Sequence, residues 1–515
     1  MTDMLEQIRE THPLVYRNFI SLGRENAEHS LGRIMELDRY WAQLERREPP
    51  AVLLSGDLLP QDVTVGEECD LLYAGGTLGM LHAAVMAEGY HRDVLLIDRG
   101  VAGTSTRDWN ISREELLRLT QTGVFSAGEL EQVIVRQYNT GWVEFFAEES
   151  RRKRLYIDHV LDCAVDADKL LGLAKRKLLA SGHGRVLDHT TFRRCYVFPD
   201  SVVVETEDES GKVSYIRAQA FVDVMGVLSP VAMQLNRNRP HTHVCPTVGT
   251  IASGFADADY DTGEILASTE HADFSAGSGR QLIWEGFPAK GTEYITYLFF
   301  YDAVDSDNDK SLLGLFEAYF RKLDTYKRRG PEFVIHRPVF GIIPAYDHDG
   351  TGRQKEIAAD RVLLFGDAAT LGSPLTFCGF GSMVRNLPKL TVGLDEALSR
   401  NTLGKRDLES ISAYEPNVAS MSNLMKYMCY DARSDEPDFV NELMNEVMIV
   451  LDTLPHRYRL AMFRDEMKLE ELMTVLLKVA WRYPAVLKST WQKLGAGGTV
   501  SFLKNLAGWA ISPTR

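Results

Sequence analysis

Three glycines and one acid in the first hundred positions have the types and spacing to hold a nucleotide. Gly75, Gly76 and Gly79 follow the apolar run Cys69–Ala74 and open a stretch of helical character reaching about Glu88. Small residues at a strand-to-helix turn let the backbone approach a pyrophosphate. The helix N-terminus then faces the negative charge with free N–H groups. A second apolar run, Val94–Ile97, closes on Asp98. An acid about 20 residues beyond the glycines can accept hydrogen bonds from the adenosine ribose. Ala74 stands where the GxGxxG fingerprint has its first glycine, so the glycines alone are weak. The order strand, helix, strand, acid is what makes nucleotide binding the expectation.

A second constellation lies far downstream. The run Arg361–Phe365 reads as a buried strand ending in Gly366 and Asp367, followed by Pro374, Gly379 and Gly381 and a helix through Leu398. A simple nicotinamide dehydrogenase has no such late segment. A plain loop with an N-capping Asp is the structural alternative. The loop resembles the GD motif of the flavoprotein class that includes aromatic hydroxylases, geranylgeranyl reductases and lycopene cyclases. That resemblance implies FAD, with Asp367 bonding the ribityl chain and the following helix N-terminus facing the pyrimidine side of the flavin. Asp223-Val224-Met225-Gly226 resembles the middle motif of the class.

Less generic stretches narrow the choice: GGTLGM, DWNISREEL, LIWEGFPA with TYLF soon after, and SPLTFCGFGSMVRNLPKLTVGLDEAL. Together they resemble the CruA/CruP-type lycopene cyclases of phototrophic bacteria, over roughly Asp70 to Leu398. Trp109-Asn110-Ile111-Ser112 and the glycines at 379 and 381 are the most specific parts. The resemblance implies acid-catalysed cyclisation of a linear carotene, lycopene, with reduced flavin and no net redox change. It also places Arg113 among the cofactor-binding residues. Glu285 is the first candidate for the acid, because burial in Leu282–Phe287 would keep it protonated, and Trp284 beside it could face the cation. Period-two alternation allows Glu285 to be a solvent-facing strand residue instead. Asp302, after the run Tyr297–Tyr301, is the second candidate. The Phe-Leu-Glu-Glu-Thr motif of plant-type cyclases is absent from this sequence. The rival readings are a flavin-dependent reductase or monooxygenase on another isoprenoid or aromatic substrate, and a non-catalytic carotenoid-binding relative.

Other signals carry less. His241, His243 and Cys245 alternate and would share a strand face, but three potential ligands on one strand without a distant fourth are more often a mixed polar edge, and no metal is expected. Arg151-Arg152-Lys153-Arg154 reads as a solvated surface run. Gly495-Ala496-Gly497-Gly498 reads as a hinge between tail helices. No second dinucleotide unit is visible, so NAD(P)H as reductant would bind transiently, or another donor would serve.

Elements must bring these residues together across 515 positions, enough for several structural units. The expected fold is α/β plus antiparallel β. A helical segment at 1–50 precedes a Rossmann-type FAD-binding domain at 66–235, completed at 355–400. An antiparallel-sheet substrate domain is inserted at 240–345, and helices follow at 405–515. Residues 51–66 read as an irregular linker and 107–180 as mostly helical. The net charge of −15 argues against nucleic acid as a partner. Six scattered cysteines without a CxxC pair suit a reducing compartment, and no signal peptide or spanning segment is read. The last 44 residues differ: they hold Trp481, Trp491 and Trp509, six cations and no acid, leaving −21 on residues 1–471. Apolar faces and basic charge in one tail lead us to expect a cytoplasmic protein lying on a membrane surface, the photosynthetic membrane by resemblance.

Overall fold

The computed structural model describes residues 2–44, 48–105, 107, 109–273, 279–347, 355–375 and 379–511. Asp108 and residues 376–378, which belong to two of the stretches quoted above, lie outside the described residues. So does Arg515.

Val65–Ala74, Val94–Ile97, Gly184–Leu187, Val213–Asp223 and Val362–Leu364 pair in parallel. Their order is Gly184–Leu187, Val94–Ile97, Val65–Ala74, Val213–Asp223, Val362–Leu364. Val94–Ile97, Val362–Leu364 and the carboxyl-terminal ends of Val65–Ala74 and Val213–Asp223 are buried on both faces, which is why they read as apolar runs. Helices Leu78–Ala84, Ala167–Ala180 and Gly379–Arg400 cover one face. The hairpin Thr190–Val197 and Val202–Asp208 extends the sheet from the first half of Val213–Asp223.

Register brings the three distant motifs together. Asp223 pairs level with Ala74 on one side and with Leu364 on the other. The glycine turn, Asp223–Gly226 and Gly366–Asp367 therefore leave adjacent strands at the same carboxyl edge. This is where open parallel sheets bind ligands.

The second sheet is antiparallel around His243–Phe255, which pairs with Tyr294–Phe299 and with Arg329–Ala345. Ile283–Pro288 and Thr262–Ala267 continue it. The sheet reaches outside 240–345, because Thr140–Glu144 and Arg154–Asp158 add at its far side. The region 107–180 is thus not mostly helical. It holds those two strands and a small sheet of Trp109–Ile111, Ile134–Gln137 and Cys163–Val165, besides helices Arg113–Leu117, Ala127–Glu131 and Ala167–Ala180. Residues 51–66 are likewise not wholly irregular: Leu53–Ser55 pairs with Thr190–Val197.

Both faces of the antiparallel sheet are covered. Val248, Trp284 and Leu298 face helix Leu312–Tyr326 and the N-terminal helices. Ile251, Ile283, Phe287 and Phe299 face the C-terminal helices. No helix among the described residues is long and apolar enough to cross a membrane.

Candidate active site

The glycine turn is a cradle that no larger residue fits. Gly75 has φ +115°, and a Cβ there would run into the Val224 carbonyl. A Cβ on Gly79 would stand 2.8 Å from Val224 Cγ2. The middle motif is therefore the wall against which the glycine turn closes. Val224 N–H donates to Ala74 O at 2.9 Å. Asp98 stands at the mouth of the cradle, held by Gly76 N–H at 2.6 Å and Gly100 N–H at 2.7 Å. Each carboxylate oxygen has a further lone pair, so this fixing orients the acid without exhausting it.

Asp223 is fully buried, accepting from Met225 N–H at 2.9 Å and from the Ser229 hydroxyl. Burial lifts its pKa to about 6 against those bonds. Its role in the structure is to shape the Val224 wall.

From the carboxyl edge a cavity runs toward the antiparallel sheet. It is lined by Leu78, His82, Gly366, Asp367, Pro374 and Gly379 on the nucleotide side, and by Thr247, Glu285, Tyr297 and Ile343 on the sheet side. Gly366 has φ +60°, and Asp367 opens onto the cavity. The Asp367 carboxyl lies deep in the molecule although it meets the open cavity. Depth raises its pKa, while the charge of Arg107 pulls it back down. The Tyr301 hydroxyl donates to Pro374 O at 3.1 Å and Leu375 O at 3.2 Å, fastening this loop to the sheet. Gly381 lies one turn deeper, and a Cβ there would stand 2.5 Å from Oε1 of the buried Glu115.

Glu285 is buried, and its carboxyl has no hydrogen-bond partner among the described residues. The solvent-facing alternative is thereby excluded. Burial alone pushes its pKa well above the ordinary carboxylate value. It pairs in register with Tyr297 and shares its face with Ile283 and Phe287. Trp284 cannot face a cation beside it. The indole points to the opposite side, stacked on Tyr326 with ring centres 4.9 Å apart. Alternation along the strand forces this separation.

Other expected site residues lie apart from the cavity. Asp302 is also buried, but it accepts from Ala303 N–H at 2.8 Å, the Ser306 hydroxyl at 2.7 Å and the Asn308 amide at 3.0 Å. It caps a turn and does not line the cavity. Arg113 donates its side chain to Glu131, half exposed, while its backbone N–H bonds Asp162 at 2.8 Å. His241 precedes the strand on which it was expected, and its ring meets the Tyr40 hydroxyl at 3.1 Å. Among the described residues no group of His, Cys, Asp and Glu is placed to hold a metal ion.

Two cavity residues carried no signal in the sequence. Arg107 donates to Phe340 O at 3.2 Å and lies over Gly341, where any side chain would collide with it. His82 bonds the Tyr73 hydroxyl through Nδ1 at 2.7 Å, packs against Phe365, and leaves Nε2 buried without a partner among the described residues. Burial lowers its pKa to about 3, so the ring is neutral.

Neither a protein-family model nor a curated protein sequence matches the chain. Solved structures match its fold. A geranylgeranyl bacteriochlorophyll reductase-like protein from Thermoplasma acidophilum superposes with a TM-score of 0.59 at 13% identity, over 83% of this chain and 99% of that one. The halogenase PltM gives 0.53 at 12%, over 84% and 88%. The p-nitrophenol 4-monooxygenase PnpA from Pseudomonas putida DLL-E4 gives 0.52 at 12%, over 78% and 98%. At these identities the likeness is one of fold, and chemistry must be argued from the site.

Proposed function

We propose that this chain is an FAD-dependent enzyme that closes the linear end group of lycopene by acid-catalysed cyclisation. The observation that carries the reading is Glu285, a buried carboxyl without a hydrogen-bond partner among the described residues, in the cavity that also reaches Asp367. A paired carboxylate would be a poor acid toward a hydrocarbon. An unpaired one held neutral by its surroundings is suited to it.

The residues present fit the cofactor. Gly75, Gly76 and Gly79 let the turn close tightly against Val224 and Ala102, where a Cβ would clash, so that its backbone can approach a pyrophosphate; Asp98 stands ready for the ribose, and Gly366 and Asp367 open onto the cavity for the ribityl chain. The N-terminus of helix Gly379–Arg400 borders the same space. The halogenase PltM, which shares the fold, has been crystallised in complex with FAD. Reduced FAD held there would supply negative charge beside a forming cation.

The chain's own residues do the rest. Glu285 holds the proton and delivers it to the terminal double bond. Tyr297, its partner in register, presents a ring to the same cavity and can stabilise positive charge. Leu161, Phe340, Ile343 and Phe380 make walls that exclude the water that would quench a carbocation. An internal double bond then closes the ring, and loss of a proton completes an isomerisation.

The test is expression in a lycopene-accumulating host with chromatography of the pigments. The wild type should yield cyclic carotene. Glu285→Gln should yield none while the purified protein stays yellow. Normal cyclisation by that variant would place the acid elsewhere. A colourless protein that FAD cannot reconstitute would remove the cofactor assignment as well.

A second reading, reduction of an isoprenoid double bond, is supported by the fold shared with the reductase-like protein. It requires stoichiometric oxidation of a reductant and a product that has gained a hydrogen pair. Cyclisation requires neither.

A further inference from the structure

Half of the large apolar side chains that stand exposed among the described residues lie in the short stretch between Leu477 and Ile511. Leu477 and Trp481, one turn apart on helix Leu469–Arg482, are 64% and 86% exposed. Ala485–Ile511 is broken at Gly495, where the backbone leaves the helical region, at the expected hinge; Leu487 and Trp491, one turn apart before the break, are 62% and 64% exposed. The same helices bury Leu472, Val475, Val479 and Leu494 on their inner sides. Each helix therefore has one apolar face in the core and another in solvent. Packing on the core accounts for the first and leaves the second unexplained.

The charges select the partner. No acid occurs from Leu472 to the end of the chain. Arg482 pairs with Glu446 and Lys493 with Asp435 on the core side. Lys478 and Lys488, next in sequence to Leu477 and Leu487, have no ion-pair partner among the described residues and are exposed. Lysine is depleted from protein–protein interfaces, whereas tryptophan and basic residues together mark the water–lipid boundary. The remaining −21 of charge would be repelled by an anionic surface, which favours approach by this face.

We propose that the outer face of helix Leu469–Arg482 and of the helix before Gly495, centred on Trp481 and Trp491 and flanked by Lys478 and Lys488, docks on an anionic lipid bilayer. The assignment stands whatever reaction the enzyme performs. It also fits a hydrocarbon substrate, because the inner sides of these helices belong to the apolar cluster that holds Ile283, Phe287 and Tyr301 behind the cavity. Lys493 ties the helix to Cys429 O at 2.5 Å, and Cys429 bridges to Tyr301.

Flotation of the full-length protein with vesicles of phosphatidylcholine, with or without phosphatidylglycerol, tests it. The protein should float with the phosphatidylglycerol vesicles at low salt and be released at high salt. Lys478→Gln with Lys488→Gln should lower the partition coefficient about thirty-fold. Trp481→Ser with Trp491→Ser should abolish flotation with the melting temperature unchanged, since both indoles stand outside the core. Wild-type protein that stays at the bottom with anionic vesicles at low salt overturns the proposal. So does equal flotation of the tryptophan variant. Self-association in the absence of lipid that is lost in that variant would assign the face to a second copy of the chain, and overturns it too.

Discussion

A carboxyl buried without a hydrogen-bond partner among the described residues is a stability defect as well as a chemical device. The native state holds the Glu285 proton, and the unfolded chain releases it above about pH 4.3. Between that value and the raised native pKa, the native state binds more protons than the unfolded one, so this residue's contribution to stability falls as pH rises. Glu285→Gln removes the titration. The variant should match the wild type near pH 4 and exceed it increasingly toward pH 7, read as denaturant midpoints across pH. A pH-independent gap would mean the carboxyl is not buried as described. The sequence left Glu285 between solvent and core because alternation distinguishes faces only when one is wet. Here both faces of Ile283–Pro288 are covered, so all six residues are buried and the pattern carries no polarity. His82 and Arg107 were hidden for a related reason. Each sits in the cavity because of what a remote strand or turn brings to it, and no spacing encodes that.

At the level of elements, the legible parts were those whose logic is local. The strand, glycine turn, helix, strand and Asp98 lie within 35 residues, and each boundary has its own chemical mark. The strands between 107 and 180 are three to five residues long and are completed by partners such as Thr262–Ala267, so their short apolar content passed for helix. The convergence of three motifs was expected by resemblance, and its physical basis is the level register of Ala74, Asp223 and Leu364. That register makes the Gly79–Val224 contact a test. Gly79→Ala introduces a Cβ 2.8 Å from Val224 Cγ2 and should cost about 1–3 kcal/mol, with loss of flavin during gel filtration. Val224→Ala in the same chain removes the opposing methyls and should restore much of both. Strict additivity of the two substitutions would show that the middle motif does not wall the cradle.

Seen whole, the described residues set a largely parallel sheet and an antiparallel sheet on either side of the cavity, with N-terminal helices on the outer side of the second sheet. The helical stripe at 1–50 was readable, but a stripe names no partner. The structure supplies it through a chain of helix caps. Glu317 accepts from Leu14 and Val15 N–H at 3.0 and 3.1 Å, at the start of Pro13–Ile20. Asp38 accepts from Leu312 and Leu313 N–H at 2.6 and 3.2 Å, at the start of Leu312–Tyr326. Helix Leu312–Tyr326 thus closes the free amides of Pro13–Ile20, and Arg24–Asp38 closes those of Leu312–Tyr326, which would otherwise lie partly buried and unsatisfied. Phe19 is the apolar pin of this joint, edge-on to Phe316 with ring centres 5.1 Å apart and itself fully buried. It is remote from the cavity, yet the helix it grips packs on Trp284, the neighbour of Glu285, on the far side of the strand. Phe19→Ala should therefore cost about 3–5 kcal/mol. The loss should appear first as faster amide exchange in Ile283–Pro288 and Tyr294–Phe299, with Val94–Ile97 protected as before. Turnover at low temperature should persist, because no residue of the cavity is touched. If exchange rises equally in both sheets, the two unfold as one unit. If it rises in neither, the N-terminal helices are a cover that the sheet does not need.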